Sequence, residues 1–305
     1  MSAVCRKNLF LPVSETEPDR RNNMNSRTKT ITTLATIVAL MFITNLIDKM
    51  YSQWLVAING ASLAVCVLIT TALISMLFDK TYLSFAGGTA FGLVSFIFSF
   101  IIISPLFQNP LISVVPRLLI GFVGYGAYKL AQIIAKGLLS LTEKIKLPLF
   151  VPITLAALDI AGLVLYCIFG ARRGFVFFIV ISVFVIAACL FAGLIIATIA
   201  NKYKVNRHHL AEHFSLTMGT IFMVISNTAF TLLAMFLFSD NYESLTAVYA
   251  VMSIVNFIPE LLITAAAAPF VILAVRRGLG LGVDGKPKQK KAIASENTAE
   301  HKEIK

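Results

Sequence analysis

Apolar positions in this chain come in long unbroken runs, without the alternating or three-to-four-spaced stripes of a half-buried strand or helix. Asp, Glu, Lys and Arg are absent from Thr81 through Pro116, from Gly174 through Asn201 and from Phe214 through Ser239. Each run exceeds the ~20 residues that cross a hydrocarbon core as a helix. The whole pattern predicts eight apolar segments, at about 30–47, 53–78, 83–106, 111–135, 149–171, 174–200, 216–238 and 245–275. The expected fold is an all-α integral membrane bundle with about eight transmembrane helices. Pro105, Pro110 and Pro116 separate the third and fourth segments. Proline removes a backbone donor and fixes φ, so this connection should be irregular and lie on the outer face. Gly88 and Gly92 form a GxxxG beside Gly87, and Gly121, Gly124 and Gly126 follow on the next segment. Small residues let helices approach closely, and packing is the expected role of these glycines.

Composition agrees with the pattern. Hydrophobic residues make up 58% and charged residues 13% of the 305 positions, against roughly 45–50% and a quarter in soluble domains. An ordinary water-soluble domain is excluded. The formal net charge of +11 would suggest nucleic acid if its distribution were ignored. Placing the N-terminus inside puts 22 of the 26 Lys and Arg residues on cytoplasmic stretches and leaves Lys49, Arg117, Arg172 and Arg173 outside. That bias follows the positive-inside rule, so the expected location is the cell membrane, multi-pass, with both termini cytoplasmic, next to lipid and not nucleic acid. The four cysteines, Cys5, Cys66, Cys167 and Cys189, are scattered and form no CxxC box, and no metal or other cofactor is expected.

Residues 1–29 are polar and basic, without the apolar core of a signal peptide, and read as a disordered cytoplasmic lead. Met24, just before a short basic stretch and the first span, is a candidate translation start. Residues 276–305 read as a solvated, Lys-rich cytoplasmic tail near anionic lipid. Two motif look-alikes are rejected. Gly280 to Lys286 has phosphate-loop spacing, but Pro287 stands where Ser or Thr would hold magnesium, and no strand precedes it. His209-Leu-Ala-Glu212-His213 fits a zinc-protease spacing, yet it sits in a basic juxtamembrane stretch without a third ligand and reads as a solvated helix start.

Three separated blocks resemble one family. The box Asn109-Pro110-Leu-Ile-Ser113-Val-Val-Pro116-Arg117, followed by Gly121, resembles the NPLxSxxPRxxxG pattern of substrate-binding S components of energy-coupling factor (ECF) vitamin transporters, in the pantothenate-type group. Gly219 through Asn227, and then Asn256-Phe-Ile-Pro259-Glu260, resemble that group's last two helices. The first span carries Ala35 and Ala39 as an AxxxA, similar to the alanine pair that docks on the family's transmembrane coupling subunit. Two methyl-sized side chains one turn apart leave a flat groove for another helix. The family usually has six helices, so residues 30–137 and 214–275 are expected to form the S-component-like core and 138–213 an inserted helix pair. The resemblance implies capture of a small vitamin, pantothenate foremost, for uptake with a coupling subunit and two ATP-binding subunits. Riboflavin, folate, thiamine precursors and cobalamin remain open.

An ionisable side chain inside a span is unfavourable by several kcal/mol unless it meets a cavity or a partner. Glu260, expected near the middle of the last span, is therefore the foremost site candidate, with Asn256 one turn earlier and Pro259 loosening the local backbone. Arg117 at the outer mouth of the fourth span could clamp a carboxylate. Asn109 and Asn227 complete the substrate-binding candidates. The alternatives are a mutual ion pair of Arg117 with Glu260 and a turn-capping role for Asn109. Asp159, in the inserted pair, is expected only to make an interhelical polar contact. The expected activity is transport and not enzymatic. Two further readings are a stand-alone secondary transporter, which would normally show paired broken helices in two halves, and an intramembrane enzyme, which would need a nucleophile and base within reach of each other.

Overall fold

The structure, a computed structural model, describes residues 18–59, 64–101, 105–145, 148–170, 174–203, 207–238 and 256–286. The expectations for residues 1–17, Arg172, Arg173, the start of the eighth segment and the tail beyond 286 lie outside the described residues. The described residues are almost wholly helical and include no β-strand. In chain order the helices are α1 (Pro18–Asn59), α2 (Val65–Met76), α3 (Thr81–Ile101), α4 (Pro110–Ser113), α5 (Val115–Ile145), α6 (Phe150–Gly170), α7 (Gly174–Tyr203), α8 (Arg207–Phe238) and α9 (Phe257–Gly278). Among the described residues, six stretches are long and apolar enough to cross a membrane: Thr30–Met50 of α1, Thr81–Ile101, Pro110–Ile145, Ile179–Tyr203, Arg207–Phe238 and Phe257–Gly278. The chain is a multi-pass helical membrane protein.

The second predicted segment is the main departure. Its first residues extend α1 to Asn59, and only the twelve residues Val65–Met76 form α2. Ten of those twelve are buried in protein. An apolar run cannot by itself distinguish a lipid-facing span from a shorter helix surrounded by its own bundle, which is why the pattern overreads α2. The polar lead also differs from expectation, because α1 starts at Pro18 and so takes in residues 18–29. The proline-rich connection is broken up as expected, into a 3₁₀ turn over Pro105–Gln108, the single turn of α4, and α5, which holds Pro116 in its first turn.

Glycine contacts set the helix crossings around α5. A Cβ on Gly88 of α3 would lie 2.6 Å from the Arg117 carbonyl oxygen, and one on Gly121 of α5 only 2.0 Å from that of Ser84. On the other face of α5, a Cβ on Gly219 of α8 would lie 2.9 Å from the Gly124 carbonyl oxygen. Backbones this close leave no room for a side chain, and dispersion between them substitutes for the hydrophobic force that lipid does not supply. Gly126 has open space around it, so the packing role expected of it is not present. These crossings and the helix-end contacts give the bundle two directions: α2, α5 and α9 run one way, and α1, α3 and α8 the other. Helices α6 and α7, expected as an inserted pair, form a hairpin in which α6 packs on α7, and α7 on α5 and α8. Asp159 on α6 keeps one carboxylate oxygen buried without a hydrogen-bond partner. At the base of the hairpin Asn201 Nδ2 donates to Thr142 Oγ1 at 2.6 Å, and Arg207 pairs with Glu143 at 2.9 Å.

At the end of the bundle where α2 finishes, a buried polar network replaces the expected solvated elements. Arg276, 1% exposed, donates Nε to the Leu77 carbonyl at 3.1 Å, Nη2 to the Met76 carbonyl, and Nη1 to Glu212 at 2.7 Å and to the Val283 carbonyl. Tyr128 donates its hydroxyl to Glu212, and Gln132 donates to the second Glu212 oxygen at 3.0 Å. Glu212 is thus no part of a solvated helix start, and the tail does not begin at Arg276. Residues 279–286 fold back instead, with Leu281 and Gly285 buried. Gly285 has φ +77° and a Cβ there would strike the Leu77 carbonyl at 2.6 Å, which explains the glycine spacing that imitates a phosphate loop. Beside the network Asp79 pairs with Lys129 and accepts from Tyr125.

Gly121→Leu is expected to cost more than the ~1–3 kcal/mol usual for overpacking, whereas Gly126→Leu should be close to neutral. Thermal melting and monodispersity in detergent compare the two. Removing one partner of a buried ion pair leaves an uncompensated charge, so Arg276→Met should destabilise by ~3–5 kcal/mol. The double variant Arg276→Met/Glu212→Gln should recover part of that loss in the same melt.

Candidate functional site

The opposite end of the bundle, where α2 begins, gathers most of the residues singled out in the sequence. The first N–H groups of a helix have no intrahelical acceptor, and within a membrane no water is at hand to satisfy them. Two carboxylates from other helices do so here. Asp48, late in α1, accepts from Cys66 N–H at 3.2 Å and Val67 N–H at 2.9 Å. Glu260 accepts from Ala64 N–H at 2.7 Å. The positive end of the α2 dipole favours both anions.

Glu260 is buried, in the first turn of α9 as described; the start of the eighth predicted segment, on which its expected place midway along the span depends, lies outside the described residues. Pro259 falls in that same first turn, where a missing N–H breaks no intrahelical bond, so the expected loosening of the backbone is not needed. The alternative reading, an ion pair between Glu260 and Arg117, is not found among the described residues. The two lie near enough to feel one another's charge, yet neither is among the ion pairs within 4 Å of the described residues.

Arg117 is positioned by the break between α4 and α5. Its Nη1 donates to the carbonyls of Ser113 at 2.7 Å and Ile112 at 3.4 Å, satisfying the end of the one-turn α4. Its guanidinium lies between the rings of Phe91 and Phe107, 5.2 and 5.3 Å from their centroids, an arrangement that favours a cation over aromatic faces. The Nε of this buried side chain has no hydrogen-bond partner among the described residues. Ile112 packs with Ala234 and Met235 of α8, which brings α4 against the end of α8. One to two turns earlier on α8 lie Asn227 and Thr231, both buried, with Asn227 Oδ1 and Thr231 Oγ1 unpartnered. Ser113 Oγ and Asn45 Oδ1 are likewise buried without partners among the described residues. Asn256 is buried at the start of α9.

Arg117, Asn227, Asn256 and Glu260 therefore share one end of the bundle, although they come from separate stretches of sequence. Asn109 is there too, and its side-chain Oδ1 accepts from Leu111 N–H at 3.0 Å and caps α4, the turn role weighed as its alternative. Ala35 and Ala39 are both exposed on α1, outside the packed core. Sequence reasoning missed Asp48, Lys49, Asn45, Ser113 and Thr231. The signal for the first two was the Asp48-Lys49 pair closing the first apolar run, which the segment boundary at about residue 47 relegated to a loop. Ser113 lay inside the proline box and was quoted only as part of its pattern. Among the described residues no group of three or more His, Cys, Asp or Glu side chains could hold a metal ion.

Losing the cap from Asp48 is expected to cost ~0.5–2 kcal/mol. Asp48→Ala should lower the melting temperature accordingly, while Asp48→Asn, which keeps an acceptor, should cost less. No known protein family, curated protein or solved structure significantly matches the chain.

Proposed function

We propose that this chain is the substrate-capturing membrane subunit of an ECF-type importer, taking a small vitamin, pantothenate foremost, from outside the cell. The observation that carries the reading is the meeting of Arg117, Asn227, Asn256 and Glu260 at one end of the bundle, amid buried polar atoms that have no hydrogen-bond partner among the described residues. Buried polar groups are normally hydrogen-bonded, and a cluster of exceptions is what a ligand would satisfy. The exposed alanine pair Ala35 and Ala39 supports the docking role on a coupling subunit, since neither residue is used for packing inside the bundle.

The orientation follows from charge. Lys129, Arg276, Arg277 and Lys286 belong to the end where α2 finishes, while Lys49 and Arg117 belong to the end where it begins. With the more basic end in the cytoplasm, both termini are cytoplasmic, the membrane is the cell membrane, and the polar cluster is on the capture side. In this reading ATP is hydrolysed by two partner subunits, and a change in the tilt of the bundle against the coupling subunit carries the enclosed ligand inward.

Purification in mild detergent from the native cell is expected to recover the chain with two ATP-binding subunits, and mass spectrometry of the retained small molecule should yield a vitamin. Arg117→Ala should weaken its binding more than tenfold, about 1.4 kcal/mol; Glu260→Gln should do the same, in part by loosening the start of α2. ATP-independent uptake by the chain alone in liposomes, driven by an ion gradient, would replace the importer by a secondary transporter.

A further inference from the structure

Where α7 lies against α5 and α8, the three helices do not close completely on one another. They leave a partly open groove of about 240 Å³, walled by the small side chains of Ala135, Ala197 and Ala211 and the larger ones of Leu139, Leu210 and Phe214. Counted from the last residues of α5 and α7 and the first of α8, these positions lie ~5–15 Å inward along the helices. Tyr203 at the end of α7 is exposed, with Lys202 Nζ 5.5 Å from its ring centroid. An aromatic ring and a lysine at a helix end mark the membrane interface, so the groove is at the depth of acyl chains.

Empty apolar space beside lipid forfeits the dispersion contacts of its walls, and without polar partners it does not hold water. Its occupant must be narrow. One turn of α-helix with its side chains fills ~400–600 Å³, more than the whole groove, whereas an acyl chain is a single methylene wide.

Nearer the helix ends the charge is one-sided. Glu143 is paired with Arg207 at 2.9 Å, while Lys136, Lys144 and Lys202, all exposed, make no ion pair among the described residues. A polar group between these lysines and the groove supplies a second, independent sign of a ligand. Asn201 donates Nδ2 to the carbonyl of Leu139, a wall residue, at 3.3 Å and to Thr142 Oγ1 at 2.6 Å. Its Oδ1 is buried and has no hydrogen-bond partner among the described residues. An amide oxygen only accepts. A headgroup that brings a hydroxyl donor together with negative charge suits this place, and a choline headgroup, with no hydroxyl and no net charge, does not.

We infer that the groove binds one acyl chain of an anionic, hydroxyl-bearing phospholipid of the phosphatidylglycerol type, with its phosphate near Lys136, Lys144 and Lys202 and a headgroup hydroxyl available to Asn201. The lipid bridges α7 to α5 and α8, and so helps to hold the α6–α7 hairpin on the bundle. It occupies the end opposite the polar cluster and is independent of the importer reading.

The test is native mass spectrometry and thermal melting of the delipidated full-length chain in detergent, with dioleoylphosphatidylglycerol, dioleoylphosphatidylcholine and glycerol 3-phosphate as probes. Phosphatidylglycerol is expected to be retained, to raise the melting temperature and to bind at least roughly tenfold tighter than phosphatidylcholine. Glycerol 3-phosphate, which has the charge and the hydroxyls without the chains, should have no effect. Ala211→Phe, which fills the groove, and Lys136→Gln/Lys202→Gln, which changes only exposed positions, should each weaken phosphatidylglycerol binding by roughly tenfold. Lys80→Gln, exposed at the same end of the bundle but between α2 and α3, should leave it unchanged. Equal retention of the two lipids overturns the site, as does a melting shift produced by glycerol 3-phosphate. So does undiminished phosphatidylglycerol binding in either groove variant that folds, or an equal loss in Lys80→Gln. Should Ala211→Phe fail to fold, the lysine variant decides.

Discussion

A twelve-residue helix is about 18 Å long, too short to cross a hydrocarbon core of ~30 Å, and the bundle is arranged around the two ends that α2 leaves unsatisfied within it. Its first N–H groups are met by Asp48 of α1 and Glu260 of α9. Its last carbonyls are met by Arg276 of α9. One helix, α9, therefore holds α2 at both ends, acidic at the positive pole of the dipole and basic at the negative pole, the arrangement electrostatics favours. The requirement is strict because a backbone group left bare in this environment costs several kcal/mol. It also explains why charged residues sit deep in an otherwise apolar chain.

Glycine provides the second constraint. The seams of α3 on α5 and of α5 on α8 bring backbones together on two faces of α5, fixing the heights at which the other helices meet it. Through these seams the start of α5, with Arg117, comes level with the end of α8, with Asn227 and Thr231. Side chains more than 100 positions apart in the chain thus come to one level. The site is a consequence of register, and register here is set by residues that have no side chain.

The membrane character, the helical class, the irregular proline connection and the close-packing glycines were legible because each depends on local composition or spacing. So was the set Arg117, Asn227, Asn256 and Glu260 as residues of interest, since polar groups are conspicuous in apolar runs. What was not legible depends on partners distant in sequence. Glu212 looked like part of a basic juxtamembrane stretch and Arg276 like the start of a tail; only their 2.7 Å contact, across 64 positions, makes them core residues. Asn109 looked the same whether it capped a turn or held a ligand, and only the fold shows its amide oxygen turned toward Leu111 N–H. The length of α2 was hidden because burial by protein and burial by lipid select the same amino acids.

The hairpin of α6 and α7 leaves and rejoins the bundle at neighbouring points. Glu143, near the end of α5, and Arg207, at the start of α8, are in direct contact, and Thr142 is bonded to Asn201 at the end of α7. The two chain ends that border the hairpin are therefore already side by side, and α5 and α8 also meet directly, through their glycine seam and the packing of Ala131 and Ala135 against Phe214 and Met218. In evolutionary terms a hairpin whose two stems are neighbours can change its sequence or length without altering the direction in which α5 and α8 run, provided α7 keeps the face it packs on both.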